Sequence, residues 1–531
     1  MIQKYIERIL RARVYEVAVE TPLDFAPNLS KRLSNPVYIK REDLQPVFSF
    51  KIRGAYNKIA SLDEEARQAG VIAASAGNHA QGVALSARQL GIRALIVMPC
   101  TTPAIKVLAV QNLGGETVLH GDSYDEAYEH ALILAREQRL TFVHPYDDPD
   151  VIAGQGTIGM EILRQNTGDI HAIFVPVGGG GLIAGIAAYV KFVRPEVRII
   201  GVEPDDADCL NRALIAKRRV VLRQVGLFVD GVAVKQVGKE PFRIAHQYVD
   251  EMVTVGTDEI CAAIKDIFDD TRSIAEPAGA LAIAGLKKYA ADNRLEEQCL
   301  IAIESGANIN FDRLRHVAER AQVGEHRELL LAVTIPERPG SFLSFCRSLG
   351  RRSVTEFNYR FFDAASAQVF VGVQIAEGRQ DSEALIKQLK DEDFAVTDMT
   401  GNELAVEHIR YMVGGHPPSL LDEIVYSFEF PERPGALLKF LTAMGGRWNI
   451  SLFHYRNHGA AFGRVLMGIQ VPKAERRAFK AFLDALGFAY REETDNPAYQ
   501  LFAGAGKIGF IPRSETPSPA LDPVQRQRGY D

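Results

Sequence analysis

The stretch VPVGGGGLIAG, residues 175–185, places four consecutive glycines between two apolar runs of different character. The run before the glycines, IFVPV at 173–177, is short and predicts a buried strand. The run after them, beginning at Leu182, is longer and predicts a helix. Because glycines carry no side chains, the backbone amides of residues 178–181 are open to a phosphate or another anion. The stretch therefore predicts an α/β domain with an anion-binding loop at the carboxyl end of a strand.

The same alternation of short apolar strands and helical patterns extends on both sides of this loop, from about residue 35 to residue 310. Further predicted strands are VIAAS (71–75), ALIVMP (94–99), ETVLHG (116–121), VRIIGVE (197–203) and LIAIES (300–305). This arrangement predicts mainly parallel sheets flanked by helices. Ligands of such folds bind at the carboxyl ends of the strands, so residues that follow a strand are the candidates for chemistry.

Three further motifs are candidates for chemistry: SFKIRGA (49–55), SAGNHAQG (75–82) and IESGANIN (303–310). Each has a structural explanation when it is considered alone. Lys51 can cover apolar atoms with its stem while its amine reaches water. Asn78 and His79 can cap the helix that they open, and Ser305 can be a turn residue. If several of these motifs serve one site, Lys51 is instead an amine that burial keeps partly neutral and nucleophilic.

The glycine loop also permits a competing interpretation. Gly179, Gly181 and Ala184 satisfy the pattern G-x-G-x-x-A, and Glu203 closes the next predicted strand, where a ribose-binding acid would lie. These features alone favour an NAD-dependent oxidoreductase. That interpretation leaves Lys51 and the SAGNH turn without a role.

Composition limits the partners of the chain. Its 531 residues carry a net charge of −6, and no run approaches the ~20 apolar residues needed to cross a bilayer. We therefore expect neither nucleic acid nor a membrane as a partner. The N-terminal segment has charges among its apolar residues and predicts an amphipathic helix rather than a signal peptide. Five scattered cysteines without a C-x-x-C pair predict a cytoplasmic protein with no zinc site and no disulfide framework.

The sequence changes in character near residue 329, where an internal repeat begins. LLLAVTIPERPGSFLSF (329–345) is similar to IVYSFEFPERPGALLKF (424–440), and the downstream matches keep an offset of 95 to 96 residues. Each copy predicts strand, helix, strand, strand, helix, strand, which is the pattern of ferredoxin-like α+β modules. A duplicated α+β module therefore follows the α/β domain.

Together these motifs resemble those of the pyridoxal 5'-phosphate (PLP)-dependent enzymes of the tryptophan synthase β fold, fold type II, and in particular the threonine and serine dehydratases. AGQGT (153–157) and EPAGA (276–280) also match that pattern. The repeat resembles the paired ACT-like regulatory domains of the biosynthetic dehydratases, most specifically in WNISLFHYR (448–456). The resemblance extends over nearly all of the chain except its C-terminal tail.

The resemblance implies a role for each motif, with Lys51 as the residue to which the cofactor is covalently attached and as the catalytic base. The implied cofactor-binding residues are Phe50, Lys51, Asn78, Gly178, Gly179, Gly180, Gly181, Leu182 and Ser305. The implied substrate-binding turn consists of Ser75, Ala76, Gly77, Asn78 and His79. Ser305 would face the ring nitrogen of the cofactor, where a neutral hydroxyl favours β-elimination over transamination. No metal ligands are expected.

The implied reaction is the deamination of L-threonine to 2-oxobutanoate and ammonia, the first step of isoleucine biosynthesis, with L-serine as a second substrate. The resemblance also implies inhibition by isoleucine, relief of that inhibition by valine, and a homotetramer. The candidate effector-binding residues are Phe357, Asn358, Tyr359, Asn449, Phe453, His454 and Tyr455. The predicted domains are a PLP-dependent catalytic domain (1–325), two ACT-like domains (329–400 and 424–495), the linker between them (401–423) and a C-terminal tail (496–531).

Two departures from related patterns bear on the alternatives within this fold. Serine racemases carry a second serine in the SSGNH turn, where this chain has Ala76, which disfavours racemase activity. The acidic segment EPDDADC (203–209) resembles their cation site only in part, because Cys209 stands where an acid is expected. A serine racemase or serine dehydratase, and an amino-acid sensor without catalysis, remain as alternatives at this point.

Overall fold

The computed structural model describes residues 2–324, 327–336, 341–350, 352, 354–359, 366–375, 379–411, 422–431, 443, 447–456 and 462–502. Residues 337–340 and 432–435 of the two PERPG motifs and residues 503–531 of the predicted tail lie outside the described residues. The backbone of every candidate effector-binding residue is described, but the side chains of these residues are not.

Residues 2–324 contain two separate sheets. Their strands are β1 (Leu23–Phe25), β2 (Val37–Arg41), β3 (Val71–Ala74), β4 (Ala94–Met98), β5 (Glu116–Leu119), β6 (Thr141–Phe142), β7 (Ala172–Pro176), β8 (Arg198–Pro204), β9 (Glu251–Val255) and β10 (Leu300–Glu304). The large sheet has the order β1-β2-β10-β7-β8-β9, and the small sheet has the order β5-β4-β3-β6. All neighbours are parallel except β1 and β2. The predicted mainly parallel architecture is confirmed.

Helices connect these strands and cover the faces of both sheets. They are Ile2–Leu10, Pro27–Leu33, Lys51–Ala60, Glu64–Ala69, Asn78–Leu90, Ala104–Asn112, Tyr124–Glu137, Pro149–Gln165, Gly181–Val193, Cys209–Ala216, Lys239–Tyr248, Thr257–Thr271, Pro277–Asp292 and Leu314–Gly324. Short 3-10 turns occur at Glu42–Leu44, Asp230–Val232 and Phe311–Arg313.

The apolar sequence of β7 follows from burial on both of its faces. Phe174 packs in the core that includes helix Pro277–Asp292, while Ile173 and Val175 pack on the opposite face against helix Gly181–Val193. A parallel strand that is covered on both sides is a continuous apolar run, because no face is left for polar residues. The glycine loop emerges from the buried end of this strand.

The C-terminal region contains two antiparallel sheets. Their strands are β11 (Glu328–Pro336), β12 (Val354–Tyr359), β13 (Ser366–Gln374), β14 (Ala395–Asp398), β15 (Glu423–Pro431), β16 (Asn449–Arg456), β17 (Phe462–Gln470) and β18 (Ala489–Glu492). The helices described here are Ser341–Leu349, Arg379–Asp391, Glu403–Glu407, Arg476–Leu486 and Pro497–Phe502, with 3-10 turns at Ile409–Tyr411 and Lys473–Glu475. The orders β12-β13-β11-β14 and β16-β17-β15-β18 are equivalent, as a duplicated ferredoxin-like module requires.

The two C-terminal modules share a hydrophobic core. Phe370 of β13 and Leu466 of β17 belong to it, together with Leu404 from the segment predicted as a linker. Ala498 and Tyr499, which lie in the segment predicted as the start of the tail, are also buried there. Both segments therefore hold the modules together, although sequence composition alone suggested that they only connect or follow them.

Candidate active site

The predicted site residues lie at strand ends and helix starts that face one another. Residues 178–181 follow β7 and Ser305 follows β10, and these two strands are neighbours in the large sheet. Residues 75–79 follow β3 in the small sheet. The backbone amide of Phe50 donates to the carbonyl of Ser305 at 3.2 Å, which places the start of helix Lys51–Ala60 beside the end of β10. The site therefore lies in a cleft between the two sheets.

Lys51 is the first residue of its helix, and it lies between the two sheets. Its Nζ donates to the carbonyl of Pro145 at 3.3 Å and lies 5.0 Å from the centroid of the Phe50 ring. Burial lowers the pKa of Lys51 to about 8, although the negative charge of Glu276 opposes that shift. A larger fraction of this amine is therefore neutral near neutral pH than is usual for lysine, as a nucleophile or a base requires.

The glycine loop is in close contact with Tyr146, the neighbour of the Pro145 whose carbonyl accepts a hydrogen bond from Lys51. A Cβ atom added at Gly179 would overlap the ring of Tyr146, the residue after Pro145. A Cβ at Gly178 would lie 2.9 Å from the backbone of Val232, and Gly180 has a φ of +89°, which favours glycine. Side chains are thus excluded from the loop, and its amides precede the start of helix Gly181–Val193. Leu182 packs in the core, so only its backbone amide is available to a ligand.

The SAGNH turn leaves the start of helix Asn78–Leu90 without a side-chain cap. Gly77 is the N-cap residue, and a Cβ atom added there would have no neighbour within 4 Å. The amide of Ser75 donates to the carbonyl of Val97, and the amide of Gly77 to the hydroxyl of Ser75. Because no side chain makes a capping hydrogen bond, the alternative that Asn78 caps the helix is wrong. The uncapped helix start offers its backbone N–H groups to an anion.

The side chains of this turn have partners of their own. His79 is buried, and its Nε2 lies 2.8 Å from the carbonyl oxygen of Val143. Burial and the neighbouring charge of Lys51 lower the pKa of His79 to about 3, so the ring is neutral. Only the backbone of His79 is therefore available to a ligand. Asn78 has a polar environment instead, between Glu276 and Asn308.

Ser305 is buried at the end of β10. Its hydroxyl donates to the carbonyl of Ala278, 3.2 Å away, near the start of helix Pro277–Asp292. A hydroxyl carries no formal charge and can donate or accept a hydrogen bond, so this position supplies polarity without a negative charge.

Several residues of the cleft were given no role by the sequence reasoning. Glu276 belongs to the quoted EPAGA motif and Asn308 to IESGANIN, but neither had an assigned function. The carboxylate of Asp230 accepts hydrogen bonds from Lys106 Nζ at 2.8 Å and from Arg313 Nη1 at 3.4 Å. No local sequence pattern marks Asp230, because its partners lie far away in the chain.

The residue required by the dinucleotide interpretation is already occupied. Glu203 is fully buried, and its two carboxylate oxygens accept the backbone amides of Leu210 and Asn211, both at 2.8 Å. Burial raises the pKa of Glu203 to about 8. This side chain caps helix Cys209–Ala216 and cannot reach a ribose, so the geometry disfavours an NAD site at the glycine loop.

Two kinds of feature are missing from the part of the chain that the structure describes. Within it, no cluster of three or more His, Cys, Asp or Glu side chains is suited to hold a metal ion. None of its helices combines the length and apolarity that a bilayer crossing needs.

The donor set of the cleft fits PLP: amides around a glycine loop for a phosphate, an amine of lowered pKa for an aldehyde, and a neutral hydroxyl for a ring nitrogen. These features define the class of PLP-dependent enzymes. A family profile described as pyridoxal-phosphate dependent enzyme matches residues 15–305. A second profile, described as the C-terminal regulatory domain of threonine dehydratase, matches residues 319–409 and 417–503.

Similar proteins narrow the class further. The biosynthetic L-threonine dehydratase of Burkholderia multivorans is 60% identical over 94% of this chain and 99% of its own length. The corresponding protein of Escherichia coli is 53% identical over 94% of this chain and 97% of its own. The solved structure of the processed form of threonine deaminase isoform 2 from Solanum lycopersicum has a TM-score of 0.59 and 51% identity, and covers 60% of this chain and 93% of that chain. The chain belongs to the biosynthetic threonine dehydratase family, and its cofactor is pyridoxal phosphate.

Proposed function

We propose that this chain converts L-threonine to 2-oxobutanoate and ammonia, as the first step of isoleucine biosynthesis. The observation that carries the proposal is the position of Lys51, whose amine of lowered pKa donates to the carbonyl of Pro145, next to the Tyr146 ring that packs against Gly179 of the glycine loop. Bound PLP withdraws electrons from the substrate Cα and so makes the proton on that carbon acidic. The oxidoreductase alternative is not favoured, because Glu203 is occupied as a helix cap.

Each protein group then has a defined task in the proposal. The Lys51 amine holds the cofactor and takes the proton from the substrate Cα. The first amides of helix Asn78–Leu90 bind the substrate carboxylate, and the amides of residues 178–181 bind the cofactor phosphate. Phe50 would pack against the ring of bound PLP, and Asn78 would donate a hydrogen bond to its 3-oxygen. Loss of the β-hydroxyl as water and a later addition of water leave one ammonia and one 2-oxobutanoate for each threonine.

The two candidate substrates, L-threonine and L-serine, differ by one methyl group. An apolar pocket that accommodates the methyl of threonine discriminates against serine by only about 1–3 kcal/mol. We therefore include L-serine as a second, poorer substrate. Ala76 replaces the second serine expected of a racemase, which supports elimination over racemisation.

We also propose that the C-terminal modules sense isoleucine and valine. The candidate residues Phe357, Asn358 and Tyr359 lie on β12, and Asn449, Phe453, His454 and Tyr455 lie at the equivalent place on β16. Both strands occupy an edge of their sheets, where one side is open to a ligand or a subunit. We also propose a homotetramer, in which neighbouring subunits cover these sheet edges. A cytoplasmic location is supported by Cys100, Cys209 and Cys299, which form no disulfide in the part of the chain that the structure describes.

Three measurements on the purified protein test the central assignment. The visible spectrum of the purified protein is recorded, and ammonia release from L-threonine is then measured with and without isoleucine. Borohydride reduction followed by peptide mapping locates the labelled lysine. The expected result is a visible chromophore, ammonia release that isoleucine suppresses, and a label on Lys51. A label on another lysine, or none, would refute the assignment.

A further inference from the structure

Asn78 is held on both sides of its amide group by residues from the other half of the cleft. Its Nδ2 donates to Oε1 of Glu276, and its Oδ1 accepts from Nδ2 of Asn308 at 2.7 Å. Asn308 is itself fixed, because the same nitrogen donates to the carbonyl of Val47 at 2.8 Å. We call the small sheet with its helices the small-sheet half and the large sheet with its helices the large-sheet half. Asn78 opens the helix that follows β3 and belongs to the small-sheet half, whereas Glu276 and Asn308 lie on either side of β10 in the chain and belong to the large-sheet half.

These two contacts determine which way the amide of Asn78 points. Asn308 donates to Oδ1 of Asn78, so the amide nitrogen faces Glu276, which can accept from it whether its carboxyl group is ionised or protonated. Asn308 presents a donor to the opposite side, which requires the oxygen there. The amide nitrogen has two hydrogens, and Glu276 takes one of them. The second hydrogen is therefore presented in a fixed direction, which suits a single acceptor on a bound ligand.

Glu276 has no evident structural task that would explain its position. It is the N-cap residue of helix Pro277–Asp292, but its side chain makes no capping hydrogen bond. It is only 6% exposed, and its backbone amide donates to the carbonyl of Gly306 at 3.1 Å. A Cβ atom at residue 306 would lie 2.8 Å from Oε1, so the glycine next to Ser305 makes room for this carboxylate.

Keeping a carboxylate in this position opposes folding. Burial, and then the negative charge of Asp230, raise the pKa of Glu276 to about 7. A helix N-cap does not need a glutamate, since serine, threonine, asparagine and aspartate cap better. The contact that this side chain does make is the hydrogen bond to Asn78, and a charged acceptor strengthens such a bond.

We propose that Glu276 is a positioning residue that orients the amide of Asn78 toward the 3-oxygen of the cofactor. The inference rests on the proposed function, since it needs PLP in the cleft. Glu276 acts through Asn78 and does not itself touch the cofactor. The amide of Asn78 is thus aligned before the cofactor binds, which lowers the entropic cost of making that hydrogen bond.

The test compares variants of the full-length protein that separate the contact from the charge. Glu276→Asp keeps the charge but is one methylene shorter, so its carboxylate withdraws from Asn78. Glu276→Gln removes the charge but keeps an oxygen that can accept the same hydrogen bond. Glu276→Ala removes both, and Asn78→Ala and the double variant Glu276→Ala/Asn78→Ala complete a thermodynamic cycle. Two quantities are measured: the dissociation constant of PLP for the apoprotein, and the visible spectrum of the holoenzyme.

We expect Glu276→Ala and Asn78→Ala each to weaken PLP binding about tenfold and to change the visible spectrum in the same way. The double variant should be no worse than the poorer single variant, because residues that act through one contact are not additive. Glu276→Asp should show the same spectral change, whereas Glu276→Gln should stay within about threefold of the unmodified protein. The matched control is Glu259→Ala, which removes a carboxylate that caps Gly256 at another helix start, and it should leave both quantities unchanged.

Two outcomes would overturn the inference. One is a Glu276→Asp variant with an unchanged spectrum and unchanged PLP affinity. The other is a double variant whose loss equals the product of the two single losses, because Glu276 would then act independently of Asn78. Either outcome leaves the proposed function intact. That function fails separately, if the unmodified protein has no chromophore or if Lys51→Ala still deaminates threonine.

Discussion

The Nζ of Lys106 lies 2.8 Å from Oδ2 of Asp230, and this ion pair joins the small-sheet half of the catalytic region to the large-sheet half. A second ion pair, between Lys235 and Asp125, makes the same connection at 2.5 Å. Both pairs cross the cleft that contains Lys51. They are partly exposed, so each contributes only about 0–1 kcal/mol to folding. Their larger effect is expected on how the two halves move relative to each other.

Lys106→Met should therefore loosen the cleft more than it destabilises the fold. We expect KM for threonine to rise about twofold to fivefold, with a change in unfolding free energy below about 1 kcal/mol. Raising the ionic strength should produce part of the same effect in the unmodified protein. Steady-state kinetics and thermal unfolding measure the two quantities. The control is Arg93→Met, which removes a comparable ion pair with Glu116 inside the small-sheet half, and an equal rise of KM there would contradict the explanation.

The lowered pKa of Lys51 predicts a pH dependence of apoprotein stability. The pKa is about 8 in the folded state and 10.5 in the unfolded state, so between these values the unfolded chain binds more protons. The contribution of Lys51 to the free energy of unfolding must therefore become more favourable as the pH rises from about 8 to 10.5. Below that window the charged amine opposes folding fully, and above it the amine is neutral in both states. Lys51→Met should be more stable than the unmodified apoprotein below pH 8, and the difference should vanish above pH 10.5.

Chemical denaturation of the two apoproteins across this pH range measures the difference directly. Lys58→Met is the matched control, because Lys58 lies further along the same helix and its amine pairs with Asp148. A difference between Lys51→Met and the unmodified protein that stayed constant from pH 7 to pH 11 would show that burial does not shift the Lys51 pKa.

The elements near the site show what a sequence can predict and what it cannot. The strand before the glycine loop and the apolar run around Lys51 are local patterns, and both lie where the motifs predicted. The contact between Asn78 and Glu276 joins residues 198 positions apart, and nothing near either residue indicates the other. The division of the predicted strands between two sheets has the same cause, because strand pairing is decided by long-range packing and not by local propensity. Glu276, Asn308 and Asp230 were therefore missed as site residues.

Gly179 offers a steric test of the glycine loop. A methyl group at this position would overlap the ring of Tyr146. Gly179→Ala should displace the loop and weaken PLP binding, with a cost of about 1–3 kcal/mol from overpacking. The double variant Gly179→Ala/Tyr146→Ala makes room for the methyl group and should recover part of the affinity. Equilibrium binding of PLP to the apoproteins measures both. An unchanged affinity in Gly179→Ala would mean that the loop does not hold the phosphate.

Ser305 offers a test of charge at the end of β10. Ser305→Asp places a carboxyl group where the buried hydroxyl now donates to Ala278. A carboxylate there would hold a proton on the ring nitrogen of PLP and change how the cofactor withdraws electrons. We expect ammonia release from threonine to fall by at least about tenfold, while PLP stays bound. Ser305→Ala, which removes polarity without adding charge, should lose less. Equal losses in the two variants would remove the proposed role of a neutral hydroxyl.

Arg320 connects the catalytic region with the segment between the two C-terminal modules. Its guanidinium pairs with Asp258 at 2.6 Å and with Glu403 at 2.9 Å. Asp258 is in the first turn of helix Thr257–Thr271, and Glu403 opens the helix whose apolar residues lie in the core shared by the modules. An effector that shifts the modules relative to each other would move Glu403, and through Arg320 it would move Asp258 and the catalytic region. Without Arg320, this route from the modules to the cleft is lost.

Arg320→Met should therefore uncouple the two regions without touching the site. We expect kcat for threonine to stay within about twofold of the unmodified value, and the isoleucine concentration for half-inhibition to rise at least about fivefold. The matched control is Arg447→Met, whose ion pair with Glu475 at 2.9 Å lies within the second module, and it should leave isoleucine sensitivity unchanged. Initial rates at a series of isoleucine concentrations measure the shift. Full isoleucine sensitivity in Arg320→Met would mean that the coupling reaches the cleft by another route. Residues 228–230 would be the next to test, because Arg313 donates hydrogen bonds both to Asp230 and to the carbonyl of Phe228.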